Sequence, residues 1–124
     1  YPNQGSYFHI PLLMFGEVIK PEMRGQKIDI IGGQNDIVAT LFGQMKIDAS
    51  NYPWSKNLLN PGSKSFALHT VNRGYGWISE EGNFSYNLDV KRHLDQNYSP
   101  EDLKKQSVLC RAYLVELYRQ FKVL

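Results

Sequence analysis

The spacing of apolar residues along the first third of the chain predicts a strand followed by a helix. An apolar run over 8–16 is bounded by turn-forming residues, and Pro11 lies near its start, where a strand tolerates a missing N–H. A mostly polar connection over 17–33 follows. From Asn35 to Met45 the apolar residues recur on one helical face, namely Ile37, Val38, Leu41, Phe42 and Met45. The pattern therefore predicts a buried strand that leads into an amphipathic helix.

The rest of the chain has the pattern of antiparallel strands that precede a long helix. A loop is predicted over 46–64, and alternating residues predict strands near 66–70, 75–79 and 84–88. Ser99 and Pro100 have the residue types of a helix start. An apolar stripe at spacings of four and three then runs through Leu103, Ser107, Cys110, Leu114, Leu117 and Phe121.

These elements predict an α/β protein, which is α+β when the chain is considered by itself. The predicted organisation is a single C-terminal segment of 124 residues. Residues 1–45 would end a main α/β sheet unit, 46–64 would form a loop, and 65–124 would form an antiparallel subdomain with its terminal helix. The chain starts with Tyr1 and a loop-like Tyr-Pro-Asn-Gln-Gly-Ser. We therefore expect it to be part of a longer protein.

Composition excludes several functional classes. Hydrophobic residues make up 42% of the chain, which is enough for a core, and the formal net charge is only +2. Lysine and arginine are scattered, so binding to nucleic acid is not expected. The single cysteine excludes an intrachain disulfide and a multi-cysteine metal site. The sequence contains no run of about 18 apolar residues, so no membrane span is predicted within it.

Few residues are candidates for chemistry. Cys110 lies on the apolar stripe of the last helix, where a buried structural thiol is the usual case. His9, His69 and His93 lack the spacing of metal ligands. A structural role is expected for His9 as well, although its place at the start of the predicted strand leaves an active-site role open. Three serines lack the Gly-x-Ser-x-Gly context of a nucleophile, namely Ser6, Ser63 and Ser65.

The carboxylates do not form a pair suited to acid–base catalysis. Asp36 is explained as an acid in the first turn of a helix. The others are isolated or lie in a turn, namely Asp48, Glu80, Glu81 and Asp89. Gly32-Gly33 before the helix offers two readings, an anion site made of backbone N–H groups or a plain tight turn, of which the turn is favoured.

Residues 8–45 resemble the late part of the sulfatase and alkaline-phosphatase superfamily, and most closely its lipoteichoic acid synthase and phosphoglycerol transferase branch. In that family a helix opens with a pattern like Ser-Gln-x-Asp-Ile-x-Pro-Thr-Leu-Leu. The residues that fall on positions of this pattern are Gly33, Gln34, Asp36, Ile37, Thr40, Leu41 and Phe42. Three residues differ in type from the pattern: Gly33 replaces the serine, Ala39 the proline and Phe42 the last leucine. Two later motifs are also similar to the family, namely Trp54-Ser-Lys-Asn-Leu58 and Tyr75-Gly-Trp-Ile78.

The resemblance implies a metal-dependent parent enzyme whose active site lies outside this chain. Such enzymes hold a Thr, Ser or formylglycine nucleophile beside one or two divalent metal ions, which would be Mn, Mg, Ca or Zn. The family's Asp-His-Gly motif would lie before Tyr1, and Thr40 matches a helix residue rather than the nucleophile. No catalytic, cofactor or metal residue is therefore assigned here. The implied parent is anchored in the cell membrane with an extracytoplasmic catalytic domain.

Two other roles stay open at this point. The aromatic residues Tyr75, Trp77, Phe84 and Tyr86 could form a carbohydrate- or protein-binding face if they were exposed in a row. Burial of these residues against the last helix would instead indicate a structural role. The expected partner is the missing N-terminal portion of the same protein. The chain is also expected to self-associate, because the apolar segment at Ile10–Phe15 would lack neighbours.

Overall fold

The computed structural model describes residues 5–122, and these form two compact units. One unit comprises residues 5–8 and 68–122, and the other comprises residues 9–67. The predicted α+β class is confirmed, since the described residues form one four-stranded antiparallel sheet and two α-helices. Their bounds are α1 Asp36–Met45, β1 Phe66–Val71, β2 Gly74–Ser79, β3 Gly82–Asn87, β4 Arg92–Gln96 and α2 Pro100–Phe121. Short 3₁₀ helices span Gly5–Phe8 and Pro21–Met23.

The sheet is a simple meander in the order β1-β2-β3-β4. Trp77 pairs with Phe84 across β2 and β3, and Tyr75 pairs with Tyr86. These large side chains therefore stand on one face, as their alternation predicts. Gly74 allows the strands to approach, because a Cβ there would lie 2.0 Å from the carbonyl oxygen of Tyr86.

Strand β4 is not among the predicted strands. Arg92 and Asp95 flank His93 and Leu94 and make the segment resemble a solvated one, yet it pairs with β3 along the edge of the sheet. Ser85 pairs with Asp95 and Tyr86 pairs with His93, so Leu94 is an extra residue that makes a bulge. A bulge of this kind is typical of edge strands and explains why the period of two is not visible in the sequence.

Helix α2 begins as predicted. The Ser99 hydroxyl accepts the backbone N–H of Asp102, and Pro100 occupies the first turn. Its buried residues are Gln106 and Cys110, whereas Phe121 at the end of the predicted stripe is 70% exposed. A 22-residue helix is about 33 Å long, whereas a six-residue strand is only about 20 Å long. The helix is therefore longer than the strands of the sheet. None of the helices in residues 5–122 is long and apolar enough to cross a membrane.

The strand predicted over 8–16 does not form. Phe8 ends the first 3₁₀ helix, and residues 9–15 have no regular structure. The apolar side chains are exposed rather than buried, most of all Leu13 at 81% and Phe15 at 83%. Strands need a neighbour for their hydrogen bonds, and the described sheet contains only β1 to β4. The pattern reports a preference for burial that this segment does not satisfy within the described chain.

Helix α1 forms as predicted but buries a different face. Asp36, Ala39, Thr40 and Gln44 are buried, whereas Ile37 and Met45 of the predicted apolar face are exposed. The buried side chains are mostly polar and have partners. Gln44, for example, accepts the backbone N–H of Lys20 at 3.0 Å. Hydrogen bonds to neighbouring loops therefore orient this helix, and its apolar face is left partly open.

We predict that the Phe84 side chain contributes strongly to the stability of the sheet unit. Phe84 is 1% exposed, so Phe84→Ala should leave a cavity and lower the free energy of unfolding by about 3–5 kcal/mol. Leu88→Ala is the matched control, because Leu88 is exposed and its loss should change stability by less than about 0.5 kcal/mol. Urea unfolding followed by circular dichroism measures both. Equal effects of the two substitutions would show that Phe84 is not a core residue.

Candidate functional site

The most concentrated group of buried polar atoms surrounds Asp36 at the start of α1. Asp36 is 2% exposed, and its Oδ2 accepts the backbone N–H of Gly33 at 2.8 Å. Its Oδ1 accepts the backbone N–H of Lys56 at 3.0 Å. The ammonium group of Lys56 also forms an ion pair with Oδ2. The side-chain amide of Asn35 also donates to Oδ1, at 3.2 Å. Four donors thus satisfy a carboxylate that would otherwise be costly to bury.

Lys56 is held in place by contacts beyond its carboxylate partner. Its Nζ donates to the carbonyl oxygen of Phe66 at 2.8 Å and lies 4.5 Å from the centre of the Phe66 ring. The ring face attracts a cation, so the ammonium group has an anionic, a carbonyl and an aromatic contact. The Lys56–Asp36 pair therefore links the start of α1 to the beginning of β1.

Two further hydroxyl groups attach the loop at 54–58 to α1. Thr40 Oγ1 donates to the carbonyl oxygen of Asp36 at 2.6 Å and accepts the backbone N–H of Leu58 at 2.9 Å. Ser55 Oγ accepts the backbone N–H of Ala39 at 2.8 Å. That N–H lies at the end of the first turn of the helix. The loop is therefore hydrogen-bonded directly to the first turn of α1.

This cluster is built to hold structure and not to hold a metal or an anion. Both carboxylate oxygens of Asp36 already accept donors, and the Gly33 N–H, the candidate anion donor, already binds that carboxylate. Across residues 5–122 no group of three His, Cys, Asp or Glu side chains is placed to bind a metal ion. The described residues therefore do not fit the divalent metal that the family resemblance implies for the parent.

A second polar network lies in the sheet unit. Ser79 Oγ contacts the Glu81 carboxylate and lies 3.0 Å from the Tyr98 hydroxyl. Gln106 Nε2 donates to Glu81 at 3.1 Å, and its Oε1 accepts the indole N–H of Trp77 at 3.0 Å. The hydrogen bond from Ser79 lowers the pKa of Glu81. A carboxylate with a lowered pKa is a poor general base, so the network does not activate Ser79 as a nucleophile.

Cys110 is a buried residue of α2. Its side chain is 0% exposed, and burial raises the pKa of its thiol to about 12. The thiol therefore stays protonated at neutral pH, and the protonated form is a weak nucleophile. This placement agrees with the predicted structural role.

The three histidines lie apart in the chain and have different surroundings. His9 is exposed. His93 lies with its ring edge-on to Phe84 and Tyr86, and burial lowers its pKa, as does the charge of Arg111 to a smaller extent. His69 lies between Phe8 of the first 3₁₀ helix and Gly76 of β2.

The other candidate residues make local structural contacts. Asp48 accepts the backbone N–H of Ser50, and this contact and the Ser50 hydroxyl lower its pKa. Asp89 forms an exposed ion pair with Arg73, and Glu80 is exposed. Ser63 donates to a carbonyl oxygen and Ser65 accepts a backbone N–H. The side chain of Ser6 lies outside the described residues.

The aromatic residues of β2 and β3 pack inward. Trp77 is buried and meets the Tyr113 ring of α2 edge-on at 5.8 Å, and Phe84 is buried beside Tyr75. Tyr75 and Tyr86 are half-buried and stack on each other at 5.5 Å. Burial against α2 is the arrangement expected of a structural role, and an exposed aromatic row would have favoured a binding face.

Sequence reasoning missed two residues that organise these clusters, Lys56 and Gln106. Lys56 lies in a polar loop, where nothing in the local pattern distinguishes a buried lysine from a solvated one. For Gln106 a signal existed, because it lies on the same helical face as Leu103 and Cys110. A polar residue on an apolar face indicates a buried hydrogen bond, here to Trp77.

We predict that the Asp36–Lys56 pair is coupled and stabilising. Asp36→Asn puts an amide where donors converge and leaves Lys56 without its anion, so the free energy of unfolding should fall by about 3 kcal/mol or more. Lys56→Met should also destabilise, and the double variant should lose less than the sum of the two single variants. Chemical denaturation gives the values, and hydrogen exchange of the α1 amides locates the effect.

The exposed pair of Lys27 and Asp29 provides the control for this experiment. Its side chains are 85% and 74% exposed, so Asp29→Asn should change stability by less than about 0.5 kcal/mol. If Asp36→Asn were as mild as Asp29→Asn, the carboxylate at the start of α1 would not be an important contact.

No family model matches this chain, and no curated protein and no solved structure matches it significantly.

Proposed function

We propose that this chain is the C-terminal structural segment of a sulfatase-fold, metal-dependent hydrolase or transferase. The parent would act on sulfate or phosphate esters, including phosphoglycerol transfer in the cell envelope. In this proposal the segment supplies framework and the nucleophile and metal ligands come from the preceding part of the parent. The parent would be anchored in the cell membrane, with its catalytic domain outside the cytoplasm.

The contact between two of the sequence motifs that resemble the family carries the proposal. Asp36 and Thr40 belong to the family-like motif at the start of α1, and the family-like motif in the loop runs from Trp54 to Leu58. Asp36 accepts the N–H of Lys56, and Thr40 accepts the N–H of Leu58. Residues that match a family pattern in separate stretches thus meet through partly buried hydrogen bonds. This contact supports the proposal, because the two stretches then belong to one structural unit.

The apolar surfaces of residues 9–67 support a framework role. Ile10, Leu12, Leu13 and Phe15 are each at least half exposed. The apolar face of α1 is likewise open at Ile37 and Met45. Several large exposed apolar residues in one unit are typical of a surface that meets another part of a protein. The missing N-terminal portion is the partner that we propose for them.

We predict that the chain alone has no esterase activity. Purified chain incubated with Mn²⁺, Mg²⁺, Ca²⁺ or Zn²⁺ should not hydrolyse p-nitrophenyl phosphate or p-nitrophenyl sulfate above the rate of the metal alone. The reason is that Asp36, its most buried carboxylate, is already saturated by donors. Metal-dependent turnover that EDTA abolishes would contradict the assignment of a framework role.

Inactivity would also be expected of a binding module, so the gene sequence upstream of Tyr1 supplies the discriminating test. The proposal requires an Asp-His-Gly motif there and a Thr, Ser or Cys nucleophile further upstream. An open reading frame without them would rule out this parent. If they are present, the upstream part should gain activity when it is co-expressed with this chain.

We predict that the chain self-associates when it is separated from its partner. Multi-angle light scattering should show a mass that rises with protein concentration, because apolar surface is removed from water on association. The double variant Leu13→Lys with Phe15→Lys should stay monomeric, since both side chains are largely exposed. The variant Lys27→Glu is an exposed charge control and should associate like the original chain. A monodisperse monomer at high concentration would count against this prediction.

A further inference from the structure

His69 is enclosed between two apolar surfaces of the sheet unit. On one side its ring lies against Gly76, where a Cβ would come within 2.1 Å of its Cε1 and Nε2. On the other side the Phe8 ring covers it, with ring centres 4.0 Å apart and planes inclined by 32°. Phe8 is the last residue of the 3₁₀ helix Gly5–Phe8, which packs on β3 as well. The imidazole is therefore part of the surface on which this helix docks.

Both ring nitrogens of His69 are buried without a hydrogen-bond partner among the described residues. A neutral imidazole carries one donor and one acceptor, so both are left unsatisfied while the helix is docked. Such a group costs free energy unless water reaches it. Undocking of Phe8 would expose the ring and remove that cost. The histidine therefore opposes the docking that the apolar contact favours.

The groups facing His69 do not compensate a positive charge. The 3₁₀ helix presents Phe8, and its titratable Tyr7 is exposed and meets Phe8 edge-on. β2 presents Gly76, and the row across the sheet continues to Ser85 on β3 and Asp95 on β4. At about 4.8 Å per strand, Asp95 lies roughly 14 Å from His69. Burial accordingly lowers the pKa of His69.

One contact acts in the opposite direction. A protonated imidazole over the Phe8 ring would gain a cation–π interaction worth about 0.5–2 kcal/mol. Protonation replaces the unsatisfied acceptor of the neutral ring by a second unsatisfied donor and adds a buried charge. Burying an unpaired charge costs several kcal/mol, so the penalty exceeds the gain. Charging the ring and keeping Phe8 in place are therefore in conflict.

We propose that protonation of His69 releases the helix Gly5–Phe8 from the sheet, which makes the docking of the N-terminal segment dependent on pH. The inference stands on the geometry around His69 and does not depend on the proposed function. It assigns His69 the role of a conformational sensor of mild acidity.

The sign of the effect follows from linkage. Docking lowers the pKa of His69 below its ordinary value of about 6.5, so the undocked state binds more protons in the interval between the two values. Docking is strongest above pH 6.5 and weakens as the pH falls through that interval. Each unit by which docking lowers the pKa corresponds to a tenfold loss of the docking constant at the acid end.

Proton NMR of the Cε1–H of His69 in the whole chain tests the proposal directly. Its titration midpoint should lie below 6.5, and the amide signals of Tyr7 and Phe8 should shift with the same midpoint as the helix is released. A midpoint at or above 6.5 would overturn the proposal, because the cation–π contact would then dominate. Titration of His69 without any accompanying change in the amide signals of Tyr7 and Phe8 would overturn it as well.

Three variants separate His69 from other titrating groups. His69→Phe should remove the pH dependence of the Tyr7 and Phe8 signals between pH 5 and 8. The matched control His93→Phe should keep that dependence, since His93 lies against Phe84 and Tyr86 instead. If His69→Phe fails to fold, Phe8→Ala decides the matter. It uncovers the ring, so the His69 midpoint should rise toward 6.5, and an unchanged midpoint would overturn the proposal.

Discussion

Burial of the Asp36 carboxylate is the constraint on which the architecture of residues 9–67 depends. A carboxylate removed from water must be satisfied by donors, and the chain supplies these from the turn before α1 and from the loop after it. Once Lys56 is held there, its neighbours in the loop bind Thr40 and the first turn of α1. A single desolvated charge thus fixes the position of a loop that has little regular structure of its own.

This constraint also explains which side of α1 is open. Because Asp36, Thr40 and Gln44 turn toward the loops to satisfy their partners, Ile37 and Met45 of the same helix are left exposed. Apolar side chains in the segment 10–15 are exposed too. Polar contacts therefore organise the inside of this unit, and part of its apolar surface is exposed. That arrangement inverts the usual order, in which apolar side chains lie inside and polar side chains lie outside.

The sheet unit is organised in the more usual way, by apolar packing. Phe84 of β3 and Cys110 of α2 are buried, and the indole N–H of Trp77 donates to Gln106 of α2. His69 on the same sheet is different, because its two nitrogens are buried without partners. Buried polar groups without partners are rare in proteins. In this unit the exception occurs where a terminal segment docks, and there the unsatisfied group makes the docking sensitive to protonation.

Local chemistry made several elements predictable from the sequence. The N-cap at Ser99 and the acid at the start of α1 act over three or four residues, and the strand alternation of Trp77 and Phe84 is equally local. Those elements formed as predicted. Strand β4 and the buried role of Lys56 depend on neighbours far along the chain, so no local pattern could reveal them. The buried strand predicted at 8–16 failed for the same reason, since no described strand lies beside it.

The sequence by itself determined where α1 and α2 form, that β2 and β3 alternate and which residues prefer burial, because propensity, capping and periodicity act between near neighbours. The tertiary structure alone decided which of those preferences are satisfied. It buried Asp36, exposed Leu13 and Phe15, rotated the buried face of α1 and enclosed His69. These outcomes depend on partners that are distant in sequence. Burial and hydrogen bonding are properties of the assembled surface, and a linear pattern contains only one side of each contact.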